Sequence, residues 1–245
     1  MQEIRPPISV CMATYNGAAY VEQQLCSILN QLRHGDEIIL VDDHSSDSTL
    51  EVIAGLKDGR IKIFRNERNM GVARSFERAI SLARGEVIFL SDQDDIWHPE
   101  KVAKMVDVFM RQPEITLVLS DARIVDQKGR PLVESFFGQR GRFKAGLVHN
   151  LMKNKYLGCV MAFRRSLQQK ILPFPAVIPQ HDMWIGLVNA LYGKTLFIDL
   201  PLVDYRKHES NASSASSNKR GTLAQMIVWR WQLIKNLFLI SWRTR

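Results

Sequence analysis

Short apolar runs alternate with amphipathic segments along the N-terminal part of the chain. The runs Ile8–Ala13, Glu37–Val41 and Val87–Leu90 are almost continuously apolar, which is typical of strands buried on both faces of a sheet. Stretches between them, such as Ala19–Leu32, repeat apolar residues at helical spacing. Strands that alternate with helices in this way predict parallel βαβ units, so the expected fold class is α/β.

Polar side chains follow the predicted strands at the point where each strand ends. The carboxyl ends of parallel strands lie at one edge of a sheet, which is where ligands of open α/β sheets bind. Loops are often polar, so these sets could be independent of one another, but acidic residues recur at two of the strand ends. We therefore expect four successive strand ends to form one ligand site. The residues concerned are Thr14, Asn16, Asp42, Asp43, Asn69, Arg74, Asp92 and Asp94.

Three carboxylates stand directly after the Val87–Leu90 run. Asp92, Asp94 and Asp95 would raise one another's pKa in a partly dry cleft unless a cation neutralised them, and hard divalent cations prefer oxygen ligands. The alternate spacing of Asp92 and Asp94 lets both point into one cleft. The alternative is a polar turn in which Asp95 caps the next helix. Capping uses only one carboxylate, so the sequence predicts a divalent metal site at Asp92 and Asp94.

The distribution of charge separates the tail from the body of the protein. The 245 residues are 46% apolar, which is enough for one large α/β domain or two small ones. The formal net charge is +8, but no acidic residue follows Glu209, so residues 1–209 are close to neutral. This argues against a nucleic-acid-binding protein and for a tail that meets an anionic surface. The six basic residues of the tail are Lys219, Arg220, Arg230, Lys235, Arg243 and Arg245.

Several common signals are missing from the sequence. The three cysteines are an odd number in apolar surroundings, so we expect reduced thiols in a cytosolic protein. No apolar signal core precedes the first strand. The glycine-rich phosphate loops of P-loop proteins and of dinucleotide-binding Rossmann folds do not occur. A nucleotide would therefore have its phosphates held by metal and Arg74, and its base or ribose held by Asp42 or Asp43.

Four motifs, taken in their order along the chain, resemble those of one enzyme family. They are Pro7–Gly17, Val41–Thr49, the Asn69-x-Gly71 turn and Phe89–Trp97. The chain resembles family 2 inverting glycosyltransferases of the GT-A fold, and most closely the rhamnosyltransferase-like branch of bacterial surface-polysaccharide enzymes. The resemblance covers about residues 5–211. It implies a Rossmann-like, mostly parallel sheet flanked by helices.

The resemblance also implies which part of the chain binds the nucleotide and which part binds the acceptor. Residues 1–211 would form the glycosyltransferase domain, with a nucleotide-binding half at 1–97 and an acceptor half at 98–211. Asp92 and Asp94 would be the Asp-x-Asp pair that binds Mn²⁺ or Mg²⁺ at the diphosphate of a sugar nucleotide, with Asp92 also near the ribose. The other nucleotide-binding residues implied are Thr14, Asn16, Asp42, Asp43, Asn69 and Arg74.

The acceptor half is implied to supply the catalytic base, at Asp182. The family pattern is usually Glu-Asp and this chain has His181-Asp182, which leaves the role of His181 open; a simple helix cap is the alternative for Asp182. Arg206 and His208 would fold back over the diphosphate, with His208 either completing the metal shell or solvated in a polar loop. Residues Glu134–Asn154 are expected to form a loop over the cleft. The residues assigned to the diphosphate and acceptor are Gly158, His181, Trp184 and Arg206.

The tail has two parts. Residues 212–221 are serine-rich and predict a flexible linker, and residues 222–245 predict an amphipathic, basic C-terminal helix. A membrane span would have to bury Arg230 and Lys235, at a cost of about 2.5–3.5 kcal/mol each. We therefore expect a helix that lies on a membrane surface, with packing against the protein's own core or a partner as the alternative.

These observations and the resemblance together predict a metal-dependent inverting glycosyltransferase. It would move a sugar from a UDP- or dTDP-sugar to a polyprenyl-diphosphate-linked glycan, in synthesis of an O-antigen or capsule type of polysaccharide. It would lie on the cytoplasmic face of the inner membrane, as a peripheral protein. Two other functions stay open: a sugar nucleotidyltransferase, although no glycine-rich triphosphate loop is found, and a non-catalytic sugar-nucleotide-binding protein of an assembly complex.

Overall fold

A computed structural model describes residues 5–178, 180–208 and 230–238. Within these residues, nine strands form one sheet in the order β3-β2-β1-β4-β8-β6-β9-β5, with β7 paired to β6. The strands are β1 (Ile8–Thr14), β2 (Glu37–Asp42), β3 (Ile61–Arg65), β4 (Val87–Ser91), β5 (Ile96–Trp97), β6 (Ile115–Val125), β7 (Pro131–Val133), β8 (Met161–Arg164) and β9 (Lys194–Arg206). The helices are α1 (Val21–Leu29), α2 (Thr49–Gly55), α3 (Val72–Leu82), α4 (Lys101–Arg111), α5 (Phe136–Arg140), α6 (Leu147–Met152), α7 (Arg165–Ile171) and α8 (His181–Tyr192). A ninth helix, α9, covers residues 230–238.

The N-terminal half of the sheet is parallel, as the alternation of strands and helices predicts. Strands β3, β2, β1 and β4 are neighbours, and Thr14 pairs in register with Asp42 while Met12 pairs with Ser91. Every residue of β2 and β4 is buried, which explains why these strands are almost continuously apolar. The strand ends that carry Thr14, Asp42 and Asp92 therefore lie side by side at one edge, and the expected α/β class is confirmed.

The C-terminal half of the sheet is mixed and returns the chain to that edge. Strand β8 is antiparallel to both β4 and β6, and β9 then runs parallel to β6. The short β5 pairs with the end of β9, where Ile96 lies opposite Asp204. This pairing brings the residues that follow β9 next to those that follow β4.

Three local predictions differ from the structure. Residues 158–163 are apolar, which predicts a strand, but they begin with a turn of 3-10 helix, and only Met161–Arg164 is extended. The predicted loop Glu134–Asn154 contains α5 and α6. Helix α4 begins at Lys101 with Glu100 at its N-cap, so the alternative in which Asp95 caps this helix is wrong, and Ile96–Trp97 pairs with β9 instead. Pairing with a strand a hundred residues away leaves no periodic signal in a short segment.

The C-terminal helix is present and one of its faces packs on the protein. Leu233 and Leu237 of α9 are buried, and the Arg230 guanidinium donates to the carbonyl oxygens of Leu151 and Met152 in α6, at 2.9 and 3.0 Å. The alternative of packing against the protein's own core is thus confirmed for this face. The predicted linker 212–221 lies outside the described residues. None of the described helices is long and apolar enough to cross a bilayer.

Candidate active site

The loops after β1 and β2 are bound to each other through buried polar groups. Asp42 is fully buried; one carboxylate oxygen accepts a hydrogen bond from the Thr14 hydroxyl at 3.1 Å, and the other accepts from the backbone N–H of Ser45 at 2.9 Å. The Asn16 side-chain oxygen accepts from the Ser46 N–H at 2.9 Å, which fastens the β1 loop to the β2 loop. Thr14, Asn16 and Asp42 are therefore brought together as the sequence predicts.

Asp43 organises the turn before α3. Its carboxylate accepts from the Asn66 amide at 2.7 Å and from the backbone N–H groups of Met70 and Gly71, both at 2.8 Å. Asn69 lies in this turn and accepts from the Gly71 N–H at 3.2 Å. The structure thus brings Asn69 close to Asp43, and the buried carboxylate already has partners on both oxygens.

Arg74 is directed toward a loop of the C-terminal half. Its guanidinium pairs with Glu77 and donates to the carbonyl oxygens of Pro175 and Ala176 at 3.0 and 3.1 Å. The sequence predicts Arg74 at the base or diphosphate, whereas here its donors are engaged by these acceptors. Arg74 therefore joins α3 to the segment before α8.

Gln93, which lies between Asp92 and Asp94, binds the loop after β1. Gln93 accepts from the Tyr15 N–H at 2.9 Å and donates to the Tyr15 carbonyl at 3.1 Å, like a partner strand. A Cβ atom on Gly17 would lie 2.1 Å from the Gln93 amide oxygen, so this approach requires glycine. The Tyr15 ring is left half exposed at the edge of the cleft, where a flat base could stack on it.

The side chains of Asp94 and His208 are in contact, although Asp94 follows β4 and His208 follows β9. His208 Nε2 lies 2.7 Å from Asp94 Oδ2, and the His208 ring stacks on Tyr20 with centroids 4.9 Å apart. Arg206 contacts both Asp94 and Tyr20. Its Nε donates to the Asp94 carbonyl at 2.8 Å, and its guanidinium lies 5.1 Å from the centroid of the Tyr20 ring. Arg206 is buried by these contacts and by Gln127 and Gln23, so in this structure it positions Asp94 instead of facing a diphosphate.

Two further acids lie deeper in the same cluster. Asp95 accepts from the Arg206 N–H at 3.0 Å, and no N–H or O–H group of the described residues donates to its other oxygen. Donor atoms of Asp92, Asp95 and Cys159 lie within 4.8 Å of one another. Burial, followed by the charges of Asp94 and Asp182, raises the pKa of Asp92 to about 7, and burial also raises that of Cys159. Oxygen ligands suit Mn²⁺ and Mg²⁺ better than a thiol, so the carboxylates of this cluster are the better candidate ligands.

A buried lysine lies beneath these acids. Lys101 donates to the Cys159 carbonyl at 2.6 Å and its ammonium group is 3.9 Å from the centroid of the Trp97 ring. Burial lowers the pKa of Lys101 to about 7, although the charges of Asp95 and Asp92 oppose this shift. One buried amine does not offset the burial and mutual repulsion that raise the pKa of Asp92 and Asp95, and a bound cation would favour the ionised form of both carboxylates. Sequence reasoning missed Lys101 because its position reads as the first turn of an ordinary amphipathic helix.

Asp182 lies in the first turn of α8 and faces the same cluster. Its Oδ2 accepts from the Gly158 N–H at 3.1 Å and its Oδ1 from the Met183 N–H at 2.6 Å. Gln180, not Asp182, occupies the N-cap position, so the simple-cap alternative does not describe this side chain. Burial raises the pKa of Asp182 to about 6, against these two hydrogen bonds. A carboxylate in this range can accept a proton near neutral pH.

The neighbouring His181 is packed and neutral. Its ring stacks on Phe76 with centroids 4.0 Å apart, and burial lowers its pKa to about 3. A Cβ atom on Gly158 would lie 2.9 Å from His181 Nε2, so Gly158 leaves the space that the imidazole fills. Trp184 is fully buried and donates to the Ile171 carbonyl at 2.9 Å. The sequence assigns Gly158, His181 and Trp184 to the diphosphate or acceptor, whereas here all three set the position of α8.

The donor set at the mouth of the cluster suits a divalent cation. Asp92 and Asp94 offer carboxylate oxygens and His208 offers an imidazole nitrogen, a combination that Mn²⁺ accepts more readily than Mg²⁺, which prefers oxygen alone. Among the described residues, the donor atoms that lie within 4.8 Å of one another are those of Asp92, Asp95 and Cys159. These features fit a cation bound at the acid cluster, with Asp182 nearby.

Comparisons with known proteins agree with this fold. An uncharacterized glycosyltransferase of Methanocaldococcus jannaschii is 34% identical over 208 residues, covering 82% of this chain and 71% of that protein. The Escherichia coli UDP-Glc:alpha-D-GlcNAc-diphosphoundecaprenol beta-1,3-glucosyltransferase WfgD is 24% identical over 208 residues, covering 84% of this chain and 79% of that protein.

Two solved structures share the architecture. TarS 1-349 of S. aureus, in complex with UDP-GlcNAc, superposes with a TM-score of 0.70 at 21% identity, over 85% of this chain and 61% of that one. The mannosyltransferase PcManGT of Pyrobaculum calidifontis, in complex with GDP-Man and Mn²⁺, gives 0.69 at 21% identity, over 96% and 65%. The chain spans less than two thirds of either solved chain. At this identity they show the fold alone, and the expected GT-A architecture is confirmed.

The sequence profile described as Glycosyl transferase family 2 matches residues 9–172, which include all three loops of the N-terminal half and the cluster after β4. With the fold, the acid cluster and this match in agreement, the chain belongs to glycosyl transferase family 2.

Proposed function

We propose that this protein is a metal-dependent, inverting glycosyltransferase that transfers a sugar from a UDP- or dTDP-sugar to a lipid-linked glycan. The observation that carries the proposal is the position of Asp182: its buried carboxylate binds the N–H of Gly158, one residue before Cys159, whose sulfur lies within 4.8 Å of a carboxylate oxygen of Asp92 and one of Asp95. An inverting transfer needs a base on one side of the anomeric carbon and charge stabilisation on the other. The two parts are adjacent here.

The protein's own residues would do most of the chemistry. Asp182 would take the proton of the acceptor hydroxyl as that oxygen attacks the anomeric carbon, held in place by the Gly158 N–H. Asp92, Asp94 and His208 would hold Mn²⁺ or Mg²⁺, and the bound ion would offset the charge that develops on the departing diphosphate. Tyr20 and Arg206 would hold the side chains of His208 and Asp94 in their relative positions.

The nucleotide would lie across the ends of β1, β2 and β4. Thr14, Asn16 and Asp42 form one connected edge there, and the half-exposed Tyr15 ring offers a stacking surface for the base. The UDP-GlcNAc complex of TarS and the UDP-Glc donor in the name of WfgD support a uridine or thymidine nucleotide. The GDP-Man complex of PcManGT is the counterexample that a donor screen should include.

The name of one relative and the composition of the tail support a proposal for the acceptor and the location. The name of WfgD specifies a diphosphoundecaprenol acceptor, which supports a polyprenyl-linked glycan here and a role in bacterial polysaccharide synthesis of the O-antigen or capsule type. We place the protein on the cytoplasmic face of the inner membrane, attached through the C-terminal helix. Membership of the rhamnosyltransferase-like branch remains part of the same proposal.

A two-stage experiment tests the proposal. The first stage measures thermal stabilisation by UDP-, dTDP- and GDP-sugars with and without Mn²⁺, because a ligand at a hundred times its Kd stabilises the folded state by about 2.7 kcal/mol. The second stage offers the stabilising donor with a synthetic polyprenyl-diphosphate glycan and follows release of the nucleotide. Metal-enhanced donor binding with transfer is the expected result. Tight binding without transfer to any acceptor would favour the non-catalytic alternative.

A further inference from the structure

Two helices that are far apart in sequence expose large apolar side chains. Val148 and Met152 are one turn apart on α6, and Trp231 and Phe238 are two turns apart on α9. These four side chains are between 69% and 72% exposed. Single exposed apolar residues are common, but two helices in contact that each expose a pair of large side chains mark an interaction surface. We call these four residues and Ile234 the α6–α9 patch.

The α6–α9 patch has a fixed position on the protein. Leu233 and Leu237 bury the opposite face of α9, and the two Arg230 hydrogen bonds attach its beginning to the last carbonyl groups of α6. The arginine that interrupts the apolar side of the predicted helix is therefore used within the protein. Because Arg230 and the buried leucines hold α9 in this way, α9 keeps a fixed position against the end of α6.

The charge of the chain is concentrated in the two segments that contribute to the patch. Residues 135–158 carry five basic and no acidic residues, and residues 210–245 carry six basic and no acidic residues. The rest of the chain has 22 basic and 25 acidic residues, so it is slightly negative. All of the net positive charge thus belongs to the two segments that α6 and α9 bring into contact.

We propose that the α6–α9 patch, and not the C-terminal helix alone, docks the protein on an anionic lipid bilayer. Apolar side chains with tryptophan, in segments rich in lysine and arginine, suit the boundary between acyl chains and anionic headgroups. A twofold dimer through the same surface would set each basic segment against its own copy, and the like charges would repel. Charge therefore favours a bilayer over a second copy of the chain.

The position of α6 connects this surface to the candidate acceptor site. Five residues separate Met152, at the end of α6, from Gly158, whose N–H binds the Asp182 carboxylate. Docking would therefore hold the acceptor side of the cleft close to the headgroups. This consequence rests on the proposed function, whereas docking itself needs neither donor nor acceptor.

The experiment compares sedimentation of the full chain with phosphatidylcholine vesicles that contain or lack phosphatidylglycerol. Val148→Glu with Met152→Glu tests α6, Trp231→Glu with Phe238→Glu tests α9, and Met110→Glu with Leu132→Glu is the matched control on exposed apolar residues elsewhere. We expect binding only to the anionic vesicles, a loss of about tenfold or more in affinity for each patch variant, and no loss for the control.

Other results of the sedimentation experiment would contradict docking through the α6–α9 patch. Wild-type affinity of the α6 variant would overturn the composite patch, as would equal binding to neutral vesicles. A dimer in light scattering that the α6 variant dissociates would assign the surface to a second copy instead. Metal-enhanced donor stabilisation, measured on the same variants without vesicles, should equal that of the wild type. Failure of docking is thus separate from failure of the proposed transfer reaction.

Discussion

His208 Nε2 lies 2.7 Å from Asp94 Oδ2, although 114 residues separate them in the sequence. The pairing of β5 with β9 makes this contact, because it returns the end of β9 to the segment that follows β4. The Tyr20 ring covers His208 on one side and is itself covered by the Arg206 guanidinium. The imidazole is therefore held in a position where it can share a cation with the carboxylate.

Replacement of His208 should weaken metal binding without unfolding the protein. We expect His208→Ala to lower the affinity for Mn²⁺ in the presence of UDP by about tenfold or more, since the site loses its one nitrogen ligand. Isothermal titration of Mn²⁺ measures this, with the exposed His34→Ala as the control. Unchanged Mn²⁺ affinity in a folded His208→Ala protein would remove His208 from the metal site and leave it as a packing partner of Tyr20.

Asp182 should be needed for transfer and not for donor binding. Asp182→Asn keeps the side-chain oxygen that accepts from the Gly158 N–H but cannot take a proton. We expect kcat to fall by about 10²- to 10⁴-fold, with the metal-dependent donor stabilisation retained. Asp199→Asn, at an exposed position of β9, is the control. A folded Asp182→Asn enzyme with wild-type kcat would exclude Asp182 as the base.

The pH dependence of transfer should report the same carboxylate. Burial raises the pKa of Asp182 to about 6, and only the deprotonated form can accept the hydroxyl proton. We therefore expect kcat/KM to be level above this pKa and to decrease by about tenfold per pH unit well below it. Burial lowers the pKa of His181 to about 3, so His181 stays neutral. It should therefore add no second ionisation to the pH profile of kcat/KM near neutral pH. A profile that is flat through pH 6 would contradict this assignment.

The parts of the site that the sequence predicts are those carried by single strand ends. Thr14 and Asp42 follow adjacent parallel strands, so the rule that strand ends share one edge brings them together. Neither the Tyr20–His208 stacking nor the buried Lys101 could be predicted in this way, because both depend on contacts between distant segments. Arg74 shows the same limit, since its partners Pro175 and Ala176 lie in a loop whose path no periodicity specifies.

Substitutions of Gly158 and His181 should have non-additive effects on stability and kcat in a double-mutant cycle. An alanine methyl group at Gly158 would lie 2.9 Å from His181 Nε2, and stacking on Phe76 limits the movement of the imidazole. We expect Gly158→Ala to destabilise the fold by about 1–3 kcal/mol and to slow transfer, since the Gly158 N–H that holds Asp182 must shift.

His181→Ala opens space for that methyl group, so the double variant should recover part of both losses. The coupling energy should be about 0.5–3 kcal/mol, because the two residues share one contact. Chemical denaturation and kcat of the four proteins measure it, and Gly55→Ala, where a Cβ atom meets nothing within 4 Å, is the control for the change from glycine to alanine. Strictly additive effects would show that His181 does not occupy the space that Gly158 leaves, and that the Asp182 carboxylate is positioned by other contacts.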